Sequence, residues 1–489
     1  MFINTKRVLP VIFLLVCMGQ CSASPMSTSI SQALSAPCLN HCQEGVLIQS
    51  LDTGRTVFER NSTIQFLPAS NFKLVVSATA LDTLGPDYRM KTSLYSTGQV
   101  DNGVLKGDLI LVGGGDPVLS SDQLRTMADK VKALGIKTVE GQVVADAGWF
   151  DDIRLGEGWE WDSEPYYYSA EVSGLNLDEN YVGVLVNSGD KVGSPASVSL
   201  VPATDYLTVR NDCTTSLAGS PKTVSVDRLE AQNVIRVTGT VPFGYRNTAA
   251  EEWITVDDPS MFTCHTFVNM LREMGVRVSG HAGSATSPNA DPSEVVSANG
   301  KPVPSGAQLV ASVDSPPFSK MLALMNKPSD NLIAECLLKT VGKHVKGHGS
   351  TAAGADVETN FLKRIGADTS EIAIADGSGL SRKNCISPSN LVKILTCMYH
   401  HKYAKVFLDS LPIAGVDGTL KNRMKGTRAA GNARAKTGSM TRVNCLSGFV
   451  KTRGGENLVF SIMLNHFQCT RQEVVAVQNK IVSILADSE

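Results

Sequence analysis

Three short runs of this chain carry residue types that do acyl-transfer chemistry when brought together. Ser70-Asn-Phe-Lys73 sets a hydroxyl and an amine three positions apart. A hydroxyl needs a base to become a nucleophile near neutral pH. At positions i and i+3 of a helix two side chains share a face, so the Lys73 amine can reach the Ser70 hydroxyl. Ser70 also stands near the expected start of that helix, where the backbone dipole favours developing negative charge. Alone, the pattern more often marks an ordinary helix-initiating serine. The same spacing recurs in Ser188-Gly-Asp-Lys191, but in a turn-like segment where the two side chains would not share a helical face.

The second run, Ser329-Asp-Asn331, opens another helical stretch. By itself it reads as a plain helix N-cap. Ser287-Pro-Asn289 and Ser297-Ala-Asn299 are its chance rivals. The third run is Lys436-Thr-Gly438, followed by Ser439. On an edge strand facing the nucleophile, Lys436 supplies a cation, Thr437 a hydroxyl and Gly438 room for a ligand backbone to approach. Its plain alternative is an exposed hairpin lysine.

In this order and context, Ser-x-x-Lys, Ser-Asp-Asn and Lys-Thr-Gly together are the signature of penicillin-binding proteins and serine β-lactamases, and the chain resembles that superfamily. Between Lys73 and Ser329 lie 255 residues, more than the small helical subdomain that normally separates these motifs. In this the chain is similar to the low-molecular-mass class C penicillin-binding proteins of the D-Ala-D-Ala carboxypeptidase/endopeptidase type, peptidase family S13. The resemblance spans nearly all of the mature chain, through Leu67-Pro-Ala-Ser70, Gly113-Gly-Gly-Asp-Pro117, Gly158-Trp-Glu-Trp161, Asp376-Gly-Ser-Gly-Leu-Ser-Arg382 and Gly415-Val-Asp-Gly-Thr-Leu420. Gly113 to Gly115 lack the Lys-Ser/Thr of a nucleotide loop and read as a tight turn. Glu171 and Asn176 are misspaced for a class A β-lactamase deacylation loop and precede Ser329, which argues against β-lactam hydrolysis as the main activity.

The resemblance implies an α/β fold with an antiparallel sheet flanked by helices, interrupted by a large, mainly β insertion. It implies that Ser70 attacks the D-Ala-D-Ala or cross-link peptide bond of a peptidoglycan stem peptide, with Lys73 as general base. The neutral form of Lys73 is expected to be favoured by burial and by the Lys436 cation. Ser329 and Asn331 would carry the proton toward the leaving amine and orient Lys73. The backbone N–H groups of Ser70 and Ser439 would form an oxyanion hole, and Lys436 and Thr437 would bind the substrate's terminal carboxylate. Arg382 would hold a further carboxylate and Asp146 a free amine of a diamino acid, though a structural arginine and a turn aspartate are equal alternatives. No metal or organic cofactor is implied, and β-lactams would act as covalent inhibitors. A non-catalytic β-lactam-binding sensor or cell-wall scaffold is the rival from another class.

These residues must be positioned by elements far apart in the chain. Gly45 to Glu59 alternates about Asp52-Thr53-Gly54 and predicts a hairpin. A helix is predicted from Pro68 to about Leu84, with Gly85 as its stop and Leu74, Leu81 and Leu84 as its apolar stripe. From about 88 to 300 short β-rich runs dominate (108–112, 181–186 and 233–237), interrupted by one amphipathic helix ending at Gly275. Residues 283–305 read as a linker. Helical texture returns at 317–340 and 390–400. A hairpin (446–450 with 458–464) and a final helix with a Thr470/Glu473 capping box close the chain. The division expected is therefore a signal peptide at 1–23, catalytic segments at 24–87 and 301–489, and inserted domains at 88–300.

Composition narrows the compartment and the partners. With 45 Lys+Arg against 47 Asp+Glu, the chain lacks the basic surplus of a nucleic-acid binder. Lys6 and Arg7, the apolar run Val8 to Gly19 and the small residues ending at Ala23 form a secretory signal pattern, which implies a periplasmic protein with at most peripheral membrane association. Nine cysteines remain in the mature chain, an odd number that leaves at least one thiol outside any internal disulfide. Cys38 and Cys42 flank His41, but no second Cys/His pair at zinc spacing accompanies them.

Overall fold

The computed structural model describes residues 24–280, 282–284 and 306–489. The expected signal peptide and most of the expected linker lie outside these residues. The hairpin Gln43–Ser50 and Thr56–Arg60 pairs with the C-terminal strands in one antiparallel sheet. Its strand order is Thr56–Arg60, Gln43–Ser50, Asn457–Asn465, Val443–Lys451, Arg434–Met440. This closes the chain on itself, because the first strand takes its full register from the last. Apolar residues on both faces make it a central layer. On one face the helices Pro25–Leu34 and Arg471–Asp487 bury Ile30, Leu34, Val474, Ile481 and Leu485. Arg471–Asp487 begins with the predicted capping box, Thr470 and Glu473 each satisfying the other's backbone N–H.

On the other face lies the helix Lys73–Leu84, entered through a 3₁₀ turn at Ala69–Phe72 and stopped at Gly85, whose φ of 78° suits glycine. It is not amphipathic in place. All nine residues from Lys73 to Leu81 are buried, because the helices Asn331–Lys346 and Pro388–Tyr399, the second of them lying on the sheet, enclose them. The stretch expected as one helix over 317–340 is two, Phe318–Asn326 and Asn331–Lys346. They break where Ser329 takes a φ of +75°, a conformation that non-glycine residues seldom adopt. A further helix, Thr351–Arg364, packs on Asn331–Lys346.

The segment between the catalytic runs is richer in helix than expected. A five-stranded mixed sheet joins Lys91–Ser96, Leu109–Val112, Val143–Asp146, Ala282–Ser284 and Gln308–Asp314. Its parallel pairs are bridged by two helices, Ser121–Ala133 and Pro259–Glu273, the first of them not anticipated. Leu124, Met127, Ala128 and Val131 give that helix a buried stripe at helical spacing, and Ser120 with Gln123 caps it. Gly283 and Ser284, expected at the head of the linker, lie in a strand. Gln308–Asp314, assigned above to the second catalytic segment, is instead hydrogen-bonded to Lys91–Ser96 in the inserted sheet. Smaller sheets around Tyr181–Asn187 and Val234–Thr238 complete a separate apolar core.

Candidate active site

Ser70 and Lys73 face each other across one helical turn, with Lys73 Nζ 2.9 Å from Ser70 Oγ. Lys73 is fully buried and also donates to Asn331 Oδ1 at 2.6 Å and to the Ser378 carbonyl at 2.7 Å. Asn331 is held in turn, its Nδ2 donating to the Tyr168 carbonyl of the inserted segment at 2.7 Å. Ser329-Asp-Asn331 opens the helix Asn331–Lys346. Asp330 is the N-cap, accepting from Ile333 N at 2.7 Å, which leaves Ser329 and Asn331 free to line the cleft. Lys436 reaches Ser329 Oγ at 2.8 Å, and Thr437 Oγ1 donates to Thr419 Oγ1 at 2.8 Å.

Gly438 serves a different end from the one expected. A Cβ there would stand 2.3 Å from the Pro68 carbonyl oxygen and 2.9 Å from Asn71 N, so the close approach is by the nucleophile's own turn. Asn71 pins that turn to the sheet, donating to Ser447 Oγ at 2.7 Å. Ser70, Ser329, Asn331, Thr437 and Ser439 border one cavity of about 760 Å³. Arg382 borders it too, bound to the Thr441 carbonyl at 2.9 Å and to Glu160 at 3.4 Å.

Asp146 is a correction. It ends a strand of the inserted sheet, is buried, accepts from Gly148 N at 3.0 Å and does not line the cavity. A strand end beside a turn can place its carboxylate on local backbone, as the Gly148 contact does here. The acidic side chains that do border the cleft are Glu160, Glu179 and Asp330, with Tyr167, Tyr181 and Met440 among its other walls. Glu160 and Thr419 belong to the Gly158–Trp161 and Gly415–Leu420 runs, so their signal lies in the sequence.

The electrostatics also differ from expectation. Burial lowers Lys73 to about 8, against the opposing pull of Asp330, Asp376 and Glu335. The Lys436 charge is not what lowers it. Lys436 is itself pushed well below the usual lysine range, by burial first and by the Lys73 charge second. A serine with a buried lysine of near-neutral basicity at hydrogen-bond distance can form and resolve an acyl-enzyme.

Residues 26–488 match the D-Ala-D-Ala carboxypeptidase 3 (S13) family. The chain belongs to that family. Its similarity to the D-alanyl-D-alanine carboxypeptidase of Actinomadura sp. (strain R39) is 36% identity over 469 residues, covering 94% of this chain and 84% of that one. With the D-alanyl-D-alanine carboxypeptidase DacB of Haemophilus influenzae it shares 26% identity, over 86% of this chain and 85% of the relative. The crystal structure of penicillin binding protein 4 from Haemophilus influenzae has the same fold, with a TM-score of 0.79 at 24% identity, covering 94% of this chain and 99% of the other. The chain is thus an S13 enzyme, a serine-type D-Ala-D-Ala carboxypeptidase in class.

Proposed function

We propose that the chain trims or cleaves peptidoglycan stem peptides through an acyl-enzyme on Ser70, and that penicillin forms the same ester without ready release. The observation that carries the reading is the contact of Ser70 Oγ with the buried Lys73 amine, itself gripped by Asn331. Neutral Lys73 takes the Ser70 proton as the oxygen attacks the carbonyl carbon. The tetrahedral oxyanion meets the backbone N–H groups of Ser70 and Ser439, each such donor being worth about 3–4 kcal/mol. Ser329, in contact with Lys436, relays the proton held by Lys73 to the departing amine as the carbon–nitrogen bond breaks, which returns Lys73 to its neutral form. Water, giving a proton to neutral Lys73, then attacks the ester, and that proton passes to Ser70 Oγ as the carbon–oxygen bond breaks.

Lys436 and Thr437 bind the terminal carboxylate, and Arg382 meets a second carboxylate by exchanging its Glu160 contact. The chain works in the periplasm, delivered there by the signal segment. The catalytic unit comprises residues 24–87 and the chain beyond the strand that ends at Asp314, a boundary supported by that strand's pairing in the inserted sheet.

The test is Ser70→Ala. That variant should fold, fail to bind a fluorescent penicillin covalently, and release no D-Ala from a pentapeptide muropeptide. Covalent labelling in the variant would remove Ser70 from the nucleophile role. Running pentapeptide beside cross-linked muropeptide on the unaltered enzyme separates carboxypeptidase from endopeptidase action. Acylation with turnover of neither would favour the sensor reading instead.

A further inference from the structure

Behind Lys73, on the side away from the cleft, lies a set of buried carboxyl groups that the reaction above does not use. Glu335 sits one turn beyond Asn331 on the helix Asn331–Lys346 and is 2% exposed. Its Oε1 accepts from Ser378 N at 2.7 Å and Gly377 N at 3.1 Å, and its Oε2 accepts from Gly377 N at 3.0 Å. The carbonyl of that same Ser378 accepts from Lys73 Nζ. Asp376 braces the other end of the loop, accepting from Gly379 N at 2.7 Å, Ser381 N at 2.6 Å and Trp159 Nε1 at 2.9 Å. A loop held at both ends by carboxylates presents its Ser378 carbonyl at one position, and Lys73 is the group that uses it.

We propose that Glu335 is a positioning residue for acylation: it fixes the Ser378 carbonyl on Lys73 and sets a buried negative charge behind that lysine. The inference rests on the reading of Lys73 as the base. Several ionisable groups face Glu335 and Lys73. Lys73 comes from its own helix, Asp376 from the loop and Asp330 from the N-cap. Glu358 comes from Thr351–Arg364, and Lys436, which feels the Lys73 charge, from the strand Arg434–Met440. Lys339, on the same helix as Glu335, is bound to Asp151 and to the Ile153 carbonyl, and Lys320 of Phe318–Asn326 is exposed. Glu358 is fully buried with no hydrogen bond to either oxygen, and burial with the charges of Glu335 and Asp376 pushes its carboxyl well up. Burial without a partner favours its neutral form. Glu335 is also pushed up, to about 7, by burial first and then by Asp376, the Gly377 and Ser378 N–H groups opposing the rise, so its carboxylate form is the one present at pH 8. With Glu335 ionised, the ammonium form of Lys73 is favoured, against the effect of burial.

The experiment measures acylation by a fluorescent penicillin across the pH range for the full-length enzyme and for Glu335→Gln, Glu335→Asp and Lys73→Ala, with thermal melting of each. Glu335→Gln removes the charge and turns an amide N–H₂ toward a backbone N–H. Its plateau rate should fall about tenfold or more, and its acid limb should move about one unit to lower pH. Glu335→Asp keeps the charge on a shorter arm, so its plateau should fall while its acid limb stays at the wild-type pH. A Glu335→Gln profile that coincides with wild type overturns the inference. So does a lowered plateau with an unmoved limb, which marks a merely structural residue. If Glu335→Gln does not fold, Glu335→Asp still decides, since a displaced limb there contradicts the role of the charge. Lys73→Ala separates the two levels: wild-type acylation in that variant defeats the base assignment itself, whereas a dead Lys73→Ala beside an unaltered Glu335→Gln defeats this inference alone.

Discussion

Lys73 donates three hydrogen bonds, to Ser70, Asn331 and Ser378, which is the full complement of an ammonium group. To act as a base it must give up one of them and accept from Ser70 instead. Burial makes that exchange accessible by lowering Lys73 to about 8. The sign follows directly. The neutral amine dominates above that value and the ammonium below it, so acylation should fall about tenfold per unit as pH drops from about 8. A stopped-flow pH series with a chromogenic β-lactam checks this. Lys73→Ala should slow acylation about 10²–10⁴-fold at every pH and abolish the limb. Lys436 gives a separate expectation. A buried amine driven toward neutrality takes up a proton when a carboxylate arrives beside it. Binding of a carboxylate-bearing penicillin to Ser70→Ala should therefore show net proton uptake near pH 8, read by calorimetry in buffers of different ionisation enthalpy. The uptake should vanish in Ser70→Ala/Lys436→Gln.

Between elements, the site depends on backbone approaches that only small residues allow. The strand Arg434–Met440 lies against the 3₁₀ turn Ala69–Phe72 because Gly438 has no Cβ to meet Pro68 and Asn71. Gly379, at φ +82°, lets the Asp376–Arg382 loop close on the same turn, where a Cβ would meet the Ala69 carbonyl oxygen at 1.9 Å. Gly438→Ala should push the strand off the turn. The cost should be about 1–3 kcal/mol of stability in a urea titration, and misplacement of Ser70 against Thr437 and Ser439 should slow acylation about 10²-fold.

In the whole molecule, the inserted segment reaches the groups that hold Lys73 and Asn331. The Tyr168 carbonyl orients Asn331, and Trp159 donates to Asp376 at the base of the loop that holds Lys73. Trp159→Phe removes a hydrogen bond to a charged acceptor, worth about 1.5–3 kcal/mol. A matching loss of stability and a several-fold slower acylation are expected, measured by urea midpoint and penicillin labelling. If the insertion only shaped substrate entry, acylation by a small penicillin would be unchanged.

What the sequence determined by itself is local. The pairing of Ser70 with Lys73, the Gly85 stop, the Thr470/Glu473 capping box and the closing hairpin all follow from spacings within a few residues, where helix and strand periods decide which side chains meet. The three catalytic runs and the length between them were enough to suggest the enzyme class. Tertiary structure alone decided the rest. It joined Lys73 to Asn331 across 258 positions and to Ser378 across 305, broke one predicted helix at Ser329, and withdrew Asp146 into a sheet. It also settled the lysine electrostatics, because desolvation depends on what the whole fold lays over a side chain and no local pattern encodes it.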